Sequence, residues 1–160
     1  MALTLDQQIV EAVKKSNYII IAFRKNFHPD SIACALSLSH LLQKMNKNHE
    51  VVCDGIHVPD NLLFLPHINL IKDKLEELQK LIISLELNNN EVDHFSYDIK
   101  DSVLNIYITP KYSSFQKEHI SSHFSPYKYD LIITVDTHDL ESLGKVFEEH
   151  TDFFYETTII

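Results

Sequence analysis

Residues 23–42 read FRKNFHPDSIACALSLSHLL. Four polar side chains in that stretch, Arg24, Asn26, His28 and Asp30, fall where an apolar run, YIIIAF, ends and a helical pattern begins. In open sheets whose strands lead into helices, ligands bind outside the carboxyl ends of the strands. The free N–H groups of a helix start favour an anion there. Asp30 can cap its helix, an interaction of about 1 kcal/mol, or it can hold a metal ion. A second acid, Asp136, ends the run LIITVD, again at the carboxyl end of a strand. If the two strands are neighbours, Asp30 and Asp136 converge on one edge, and two carboxylates there repel unless a divalent cation lies between them. Asp136 can equally cap a helix starting near Asp139, and a carboxylate has acceptor sites enough for both roles.

The elements that must position these residues follow from hydrophobic spacing. Residues 5–15, LDQQIVEAVKK, place Leu5, Ile9, Val10 and Val13 on one helical face, with Thr4 as N-cap. Tyr18–Phe23 is a continuous apolar run, as in a strand covered on both faces. Residues 30–46 form a helix that is apolar around most of its circumference, KNH at 47–49 is a turn, and Glu50–Asp54 is a second strand. A parallel pair joined by a helix is the economical reading. DLIITVDT at 130–137 supplies another buried strand, DLESLGKVFEEH a helix with Gly144 inside it or at a tight packing point, and FFYETTII a last strand.

Between these lies a different region. INLIKDKLEELQKL has helical spacing with Leu75 and Leu78 on one side, and its KDKLEELQK portion reads as solvated helix surface. IISLEL, VDHFSYDI and VLNIYITP follow, separated by NNNE and KDS, which is turn chemistry. Residues 82–109, an insertion over about 80–110, are thus expected to form a three-stranded antiparallel meander, and SSFQKEHISSHFSPYKY to be loop with one helical turn. Tyr112, Phe115, Phe124 and Tyr127 are expected to anchor that loop. The fold class is therefore α/β: a parallel doubly wound sheet with helices on both faces and an inserted antiparallel meander, in one domain of 160 residues.

Composition narrows the function classes. A net charge of −9 excludes a surface that coats nucleic acid, which needs a basic face. No apolar run approaches the ~20 residues of a membrane span, and the N-terminal MALTLDQQIVEAVKKS lacks the pattern of a signal peptide. The two cysteines, Cys34 and Cys53, sit in apolar patterns and are expected to be buried structural thiols of a cytoplasmic protein. The ten histidines are scattered, with no compact zinc-finger arrangement, and most are expected to lack a ligand role.

Taken together, the two polar junctions resemble a known family. RKNFHPDSIACALSL resembles the first motif of the DHH phosphoesterases, the group that includes RecJ-like exonucleases and nanoRNA and phosphoadenosine phosphatases. DLIITVDTHDLESLG resembles that family's second motif, and VVCDGIHVPDNLLFLP its strand and following connection. The likeness covers roughly residues 10–66 and 128–160.

The resemblance implies hydrolysis of phosphoester bonds in nucleotides or short oligonucleotides, with two Mn²⁺ or Mg²⁺ ions that activate a water and neutralise the phosphate. It makes Asp30 and Asp136 the catalytic metal ligands, His28 a substitute ligand, and Arg24 and Asn26 phosphate contacts. The family's first motif reads H-x-N-P-D-G-D. Arg24 stands at its His, Asn26 matches its Asn, His28 stands at its first Asp, and Asp30 matches its second. A guanidinium repels a metal ion but grips a phosphate in a bidentate fork. The family's Asp-His-His follows a strand that here reads TTII, where the sequence ends. The expectation is a truncated gene with weak or no activity, or a shortened relative that pairs with a second chain as a homodimer. The competing expectation is a non-catalytic nucleotide-binding or interaction module on the same scaffold, which Arg24 favours.

Overall fold

The computed structural model describes residues 4–160. Contacts divide the chain into two units, residues 79–126 and the remainder.

In the larger unit, helix α1 (Leu5–Lys15) starts at Thr4, whose hydroxyl accepts the Gln7 N–H while the Gln7 side chain accepts the Thr4 N–H, a reciprocal cap. Strand β1 (Tyr18–Phe23) leads into helix α2 (Pro29–Lys44), which is followed by strands β2 (Asn48–Val52) and β3 (Ile71–Lys72). The inserted unit carries β4 (Leu81–Leu85), β5 (Val92–Lys100), β6 (Val103–Pro110) and β7 (Ile120–Phe124). The larger unit then resumes with β8 (Leu131–Val135), helices α3 (Lys145–Glu148) and α4 (Thr151–Glu156), and strand β9 (Thr158–Ile159).

Five strands form a parallel sheet in the order β3-β2-β1-β8-β9. Alternation along β1 splits the core in two. Ile19, Ile21 and Phe23 pack with Ile32, Ala35, Leu36 and Leu42 of α2. Ile20 and Ala22 pack with Val146, Phe147, Phe153 and Phe154 of α3 and α4. Residues 19–23 are essentially inaccessible to solvent, as a strand covered on both faces requires. Each large aliphatic side chain buried there contributes about 1.5–3 kcal/mol relative to exposure.

Several expected elements differ. INLIKDKLEELQKL is not a helix: Ile68–Leu70 is one tight turn and Ile71–Lys72 is strand. Ile71 pairs with Val51 at the sheet edge, the Cys53 N–H bonds the Lys72 carbonyl, and Glu77 takes a left-handed φ of 53° that a helix excludes. Leu75 is buried as that spacing suggested, by tertiary packing alone. The first half of FFYETTII is helix, because Phe153 and Phe154 fill the core from α4, and Thr158–Ile159 pair with β8 as strand. DLESLGKVFEEH is broken at Gly144, whose φ of 63° and ψ of −137° separate a tight turn from α3.

The three-stranded meander is also corrected. β4 pairs with β7, drawn from the segment expected to be loop, and β5 pairs with β6. NNNE does not close a hairpin, since Asn88 and Asn89 turn left-handed and the buried Asn90 bonds the Ser113 carbonyl and the Tyr112 N–H instead. The KDS turn does close one. Asp101 and Ser102 both have positive φ, as a two-residue hairpin needs. Cys34 is exposed rather than buried; Cys53 is buried as expected. Among the described residues no helix is long and apolar enough to cross a membrane.

One polar cluster lies against the second core. Glu50 accepts hydrogen bonds from Tyr18 (2.7 Å), Tyr129 (2.7 Å) and Lys128 (2.7 Å), and pairs with Lys72 at 2.6 Å. Burial alone would raise its pKa, but the donors Lys128, Lys72, Tyr18 and Tyr129 outweigh that and hold it at about 2. The Tyr18 hydroxyl is pushed up to about 12, by burial first and then by Glu50. Because the folded pKa lies below the ordinary 4.5, this carboxylate's stabilisation is complete above that value and is lost as pH falls toward 2. Glu50→Gln should cost about 2 kcal/mol near neutral pH, after allowance for partial solvent screening of the lysines. The gap to wild type should close across that acidic window in chemical denaturation; a gap independent of pH would contradict this account.

Candidate functional site

The site residues cluster at the carboxyl rim of the sheet. The register pairs Phe23 with Val135, so Arg24 and Asp136 are the next residues on neighbouring strands. Asp136 has a φ of 52° that ends β8. Its Oδ2 accepts a 2.6 Å hydrogen bond from Ser31, the buried residue beside Asp30 at the start of α2. The two expected acids therefore stand on one rim. Asp136 does not cap the following turn; Asp139 does so itself, accepting the Ser142 N–H at 2.8 Å.

The cap of α2 is His28, not Asp30. His28 Nδ1 accepts the Asp30 N–H at 3.3 Å, and the Ser31 hydroxyl accepts the His28 N–H at 3.1 Å. Asp30 Oδ2 also lies 3.3 Å from the same Nδ1, and its side chain is 89% exposed. A neutral Nδ1 accepts the backbone N–H; a protonated one donates to Asp30. The structure places Asn26 as an exposed residue of this connection. Arg24 is half-buried, and its Nε is shielded from solvent without a hydrogen-bond partner. Among buried polar groups in folded chains such orphans are rare.

Among the described residues no three His, Cys, Asp or Glu side chains gather closely enough to hold an ion. Arg24, which follows β1 as Asp136 follows β8, brings a guanidinium to the rim, a group that repels a metal ion.

Sequence reasoning missed a third acid on the rim. Asp54 follows β2 and is buried; it accepts the Lys145 N–H at 3.0 Å and pairs with Lys25 at 3.0 Å. Burial alone would raise its pKa, yet the Lys145 N–H and the Lys25 ammonium bring it below the ordinary value. The Lys25 N–H donates to the Ser142 carbonyl at 2.9 Å, so β1, β2 and the turn before α3 are tied at one point. Gly144 is the condition of that tie, because a Cβ there would run into the Asp54 carboxylate. The signal available beforehand was the V-V-C-D pattern, an acid directly after a strand, in the same relation as Asp136 to β8. The neighbouring Cys53 thiol is pushed up to about 12 by burial and then by Asp54, which makes it unreactive. Next to Asp54 lies a cavity of about 290 Å³, lined by Gly55, Asp73, Lys74, Lys145 and His150 among others.

No protein-family model matches the sequence, and no curated protein does.

Gly144→Ala combines a left-handed φ with a clash against a buried carboxylate. It should destabilise the fold by about 2–4 kcal/mol in urea unfolding. Asp54→Asn alone should cost less, since the amide still fits. Equal stability of Gly144→Ala and wild type would remove the tie from the account.

Proposed function

We propose that the chain is a DHH-type scaffold that binds a phosphate-bearing ligand, a nucleotide or short oligonucleotide, at the rim shared by β1 and β8, and does not hydrolyse it through a metal pair. The strand order supports a doubly wound sheet whose order reverses at β1, with β2 on one side and β8 on the other. Ligands of such sheets bind in the crevice at that switch point. The observation that carries the reading is the orphaned Nε of Arg24, a shielded donor at the end of β1 in the connection that leads to a sixteen-residue helix. A phosphate oxygen satisfies both, the guanidinium by a charge-assisted hydrogen bond and the helix start by its free N–H groups. The cavity beside Asp54, with Lys74, Lys145 and His150, offers room near the lower end of the range for small-ligand sites.

The hydrolytic reading stands second. It is favoured by the juxtaposition of Asp136 with the helix start that bears Asp30. In that reading Asp30, Asp136 and His28 are the metal ligands and Mn²⁺ or Mg²⁺ the cofactor.

Thermal unfolding separates the two. With EDTA present, ADP or a short oligonucleotide should raise the melting temperature, by the equivalent of about 2.7 kcal/mol at a hundredfold excess over Kd. Arg24→Gln should abolish that rise while leaving the ligand-free melting temperature unchanged or higher. A rise with Mn²⁺ alone that Asp136→Asn removes would favour hydrolysis. Indifference to every phosphate compound would end the binding proposal.

A further inference from the structure

The inserted unit, residues 79–126, contains no buried hydrophobic side chain. Its β5–β6 ribbon nevertheless gathers its apolar residues mainly on one face. Directly opposed residues share a face, and the register pairs Phe95 with Ile108, Tyr97 with Ile106, and Ile99 with Leu104. The reverse face carries Asp98, which accepts hydrogen bonds from Asn105 at 2.8 Å and Tyr107 at 3.4 Å. The reverse face is mixed, with Ser96, Asp98, Lys100 and Asn105 beside Tyr107 and Val103, whereas the other is three consecutive apolar rungs. On that side Phe95 is 58% exposed, Tyr97 66%, Ile99 72%, Leu104 55% and Ile106 38%.

We infer that this apolar face of the β5–β6 ribbon is the contact by which two copies of the chain associate. Isolated two-stranded ribbons are marginal in water, and contiguous exposed apolar faces of this kind mark interaction sites. The area suits a second copy. At about 200 Å² per large side chain, the open side chains present roughly 600 Å². A pair of copies would bury roughly 1,200 Å² there, where specific interfaces begin.

The pattern of the rungs is self-complementary. A two-fold axis along the middle rung, Tyr97–Ile106, sets the aromatic Phe95 end of one copy against the aliphatic Ile99–Leu104 end of the other, bulk against small. The three rungs contain no acidic or basic side chain, Asp93 preceding them on β5, so two chains of net charge −9 can meet across the rungs without burying like charges there.

Sedimentation of the full chain as a function of concentration tests this, in a Cys34→Ser background because Cys34 is exposed. A reversible dimer is expected. Tyr97→Lys should weaken it roughly 30-fold or more, and Asn105→Lys on the reverse face should leave it unchanged. Ile106→Cys should form a disulfide-linked dimer under mild oxidation, and Asn105→Cys should not; this readout holds even if Tyr97→Lys fails to fold. A chain that stays monomeric throughout, a dimer indifferent to Tyr97→Lys with no Ile106→Cys cross-link, or a monomer that instead binds lipid vesicles through this face would overturn the proposal.

Discussion

Parallel pairing between β1 and β8 is the constraint on which the rest depends. It joins Ile19–Phe23 to Leu131–Val135, strands far apart in sequence, by a ladder in a single register. The pairing is fastened at its start by Asp130, whose carboxylate accepts the N–H groups of Asn17 (2.8 Å) and Tyr18 (3.1 Å). A slip of one residue would turn Ile20 and Ala22 toward α2 and expel Ile21 and Phe23 from their pocket. The same slip would separate Arg24 from Asp136 and undo the bond between Asp136 and Ser31. The arrangement of the rim is therefore a consequence of core alternation and is not held by contacts among the rim residues alone.

At that rim the charges divide into committed and uncommitted groups. Asp54 is buried, with the Lys145 N–H and the Lys25 ammonium on it, so Lys25 is occupied in holding the fold. Arg24 has a shielded donor without a partner, and Asp30 is open to solvent. An acidic chain thereby keeps a cationic group in the connection that leads to a helix start, where the backbone adds positive potential. This distribution suits an anion better than a cation.

How much of this was legible in the sequence follows from where local and tertiary forces agree. Tyr18–Phe23, the α2 helix and LIITV announce themselves because a strand covered on both faces needs an unbroken apolar run. Thr4 was readable as a cap because its partner Gln7 is three residues away. KDKLEELQK was not readable: its leucine spacing and propensities fit a helix, and tertiary bonds overrule them, Lys72 pairing with Val52, the Lys128 N–H bonding the Leu78 carbonyl and the Lys80 N–H bonding the Ser125 hydroxyl. ISSHF looked like loop because its two serines and histidine outnumber its two apolar residues, and it is a strand because Leu81–Leu85 lies opposite it. In the site, Arg24, His28, Asp30 and Asp136 were visible as polar residues at strand ends. Asp54 was overlooked because its role depends on Gly144 and Lys145, which no local pattern links to it.

The inserted unit poses the opposite energetic problem from the core. Fixing each residue of β5 and β6 costs about 1–2 kcal/mol of backbone entropy. The cross-strand pairs Phe95–Ile108, Tyr97–Ile106 and Ile99–Leu104 return about 0.2–1 kcal/mol each beyond what smaller side chains would give. The left-handed Asp101 and Ser102 make the turn without glycine, which adds strain of its own. Hydrogen bonding along the ladder offsets part of this and leaves the ribbon marginal, because none of its apolar side chains is removed from water. Order in the ribbon and occupation of its apolar face are then thermodynamically linked. Whatever covers that face stabilises the ribbon by the same free energy with which the ordered ribbon favours the cover.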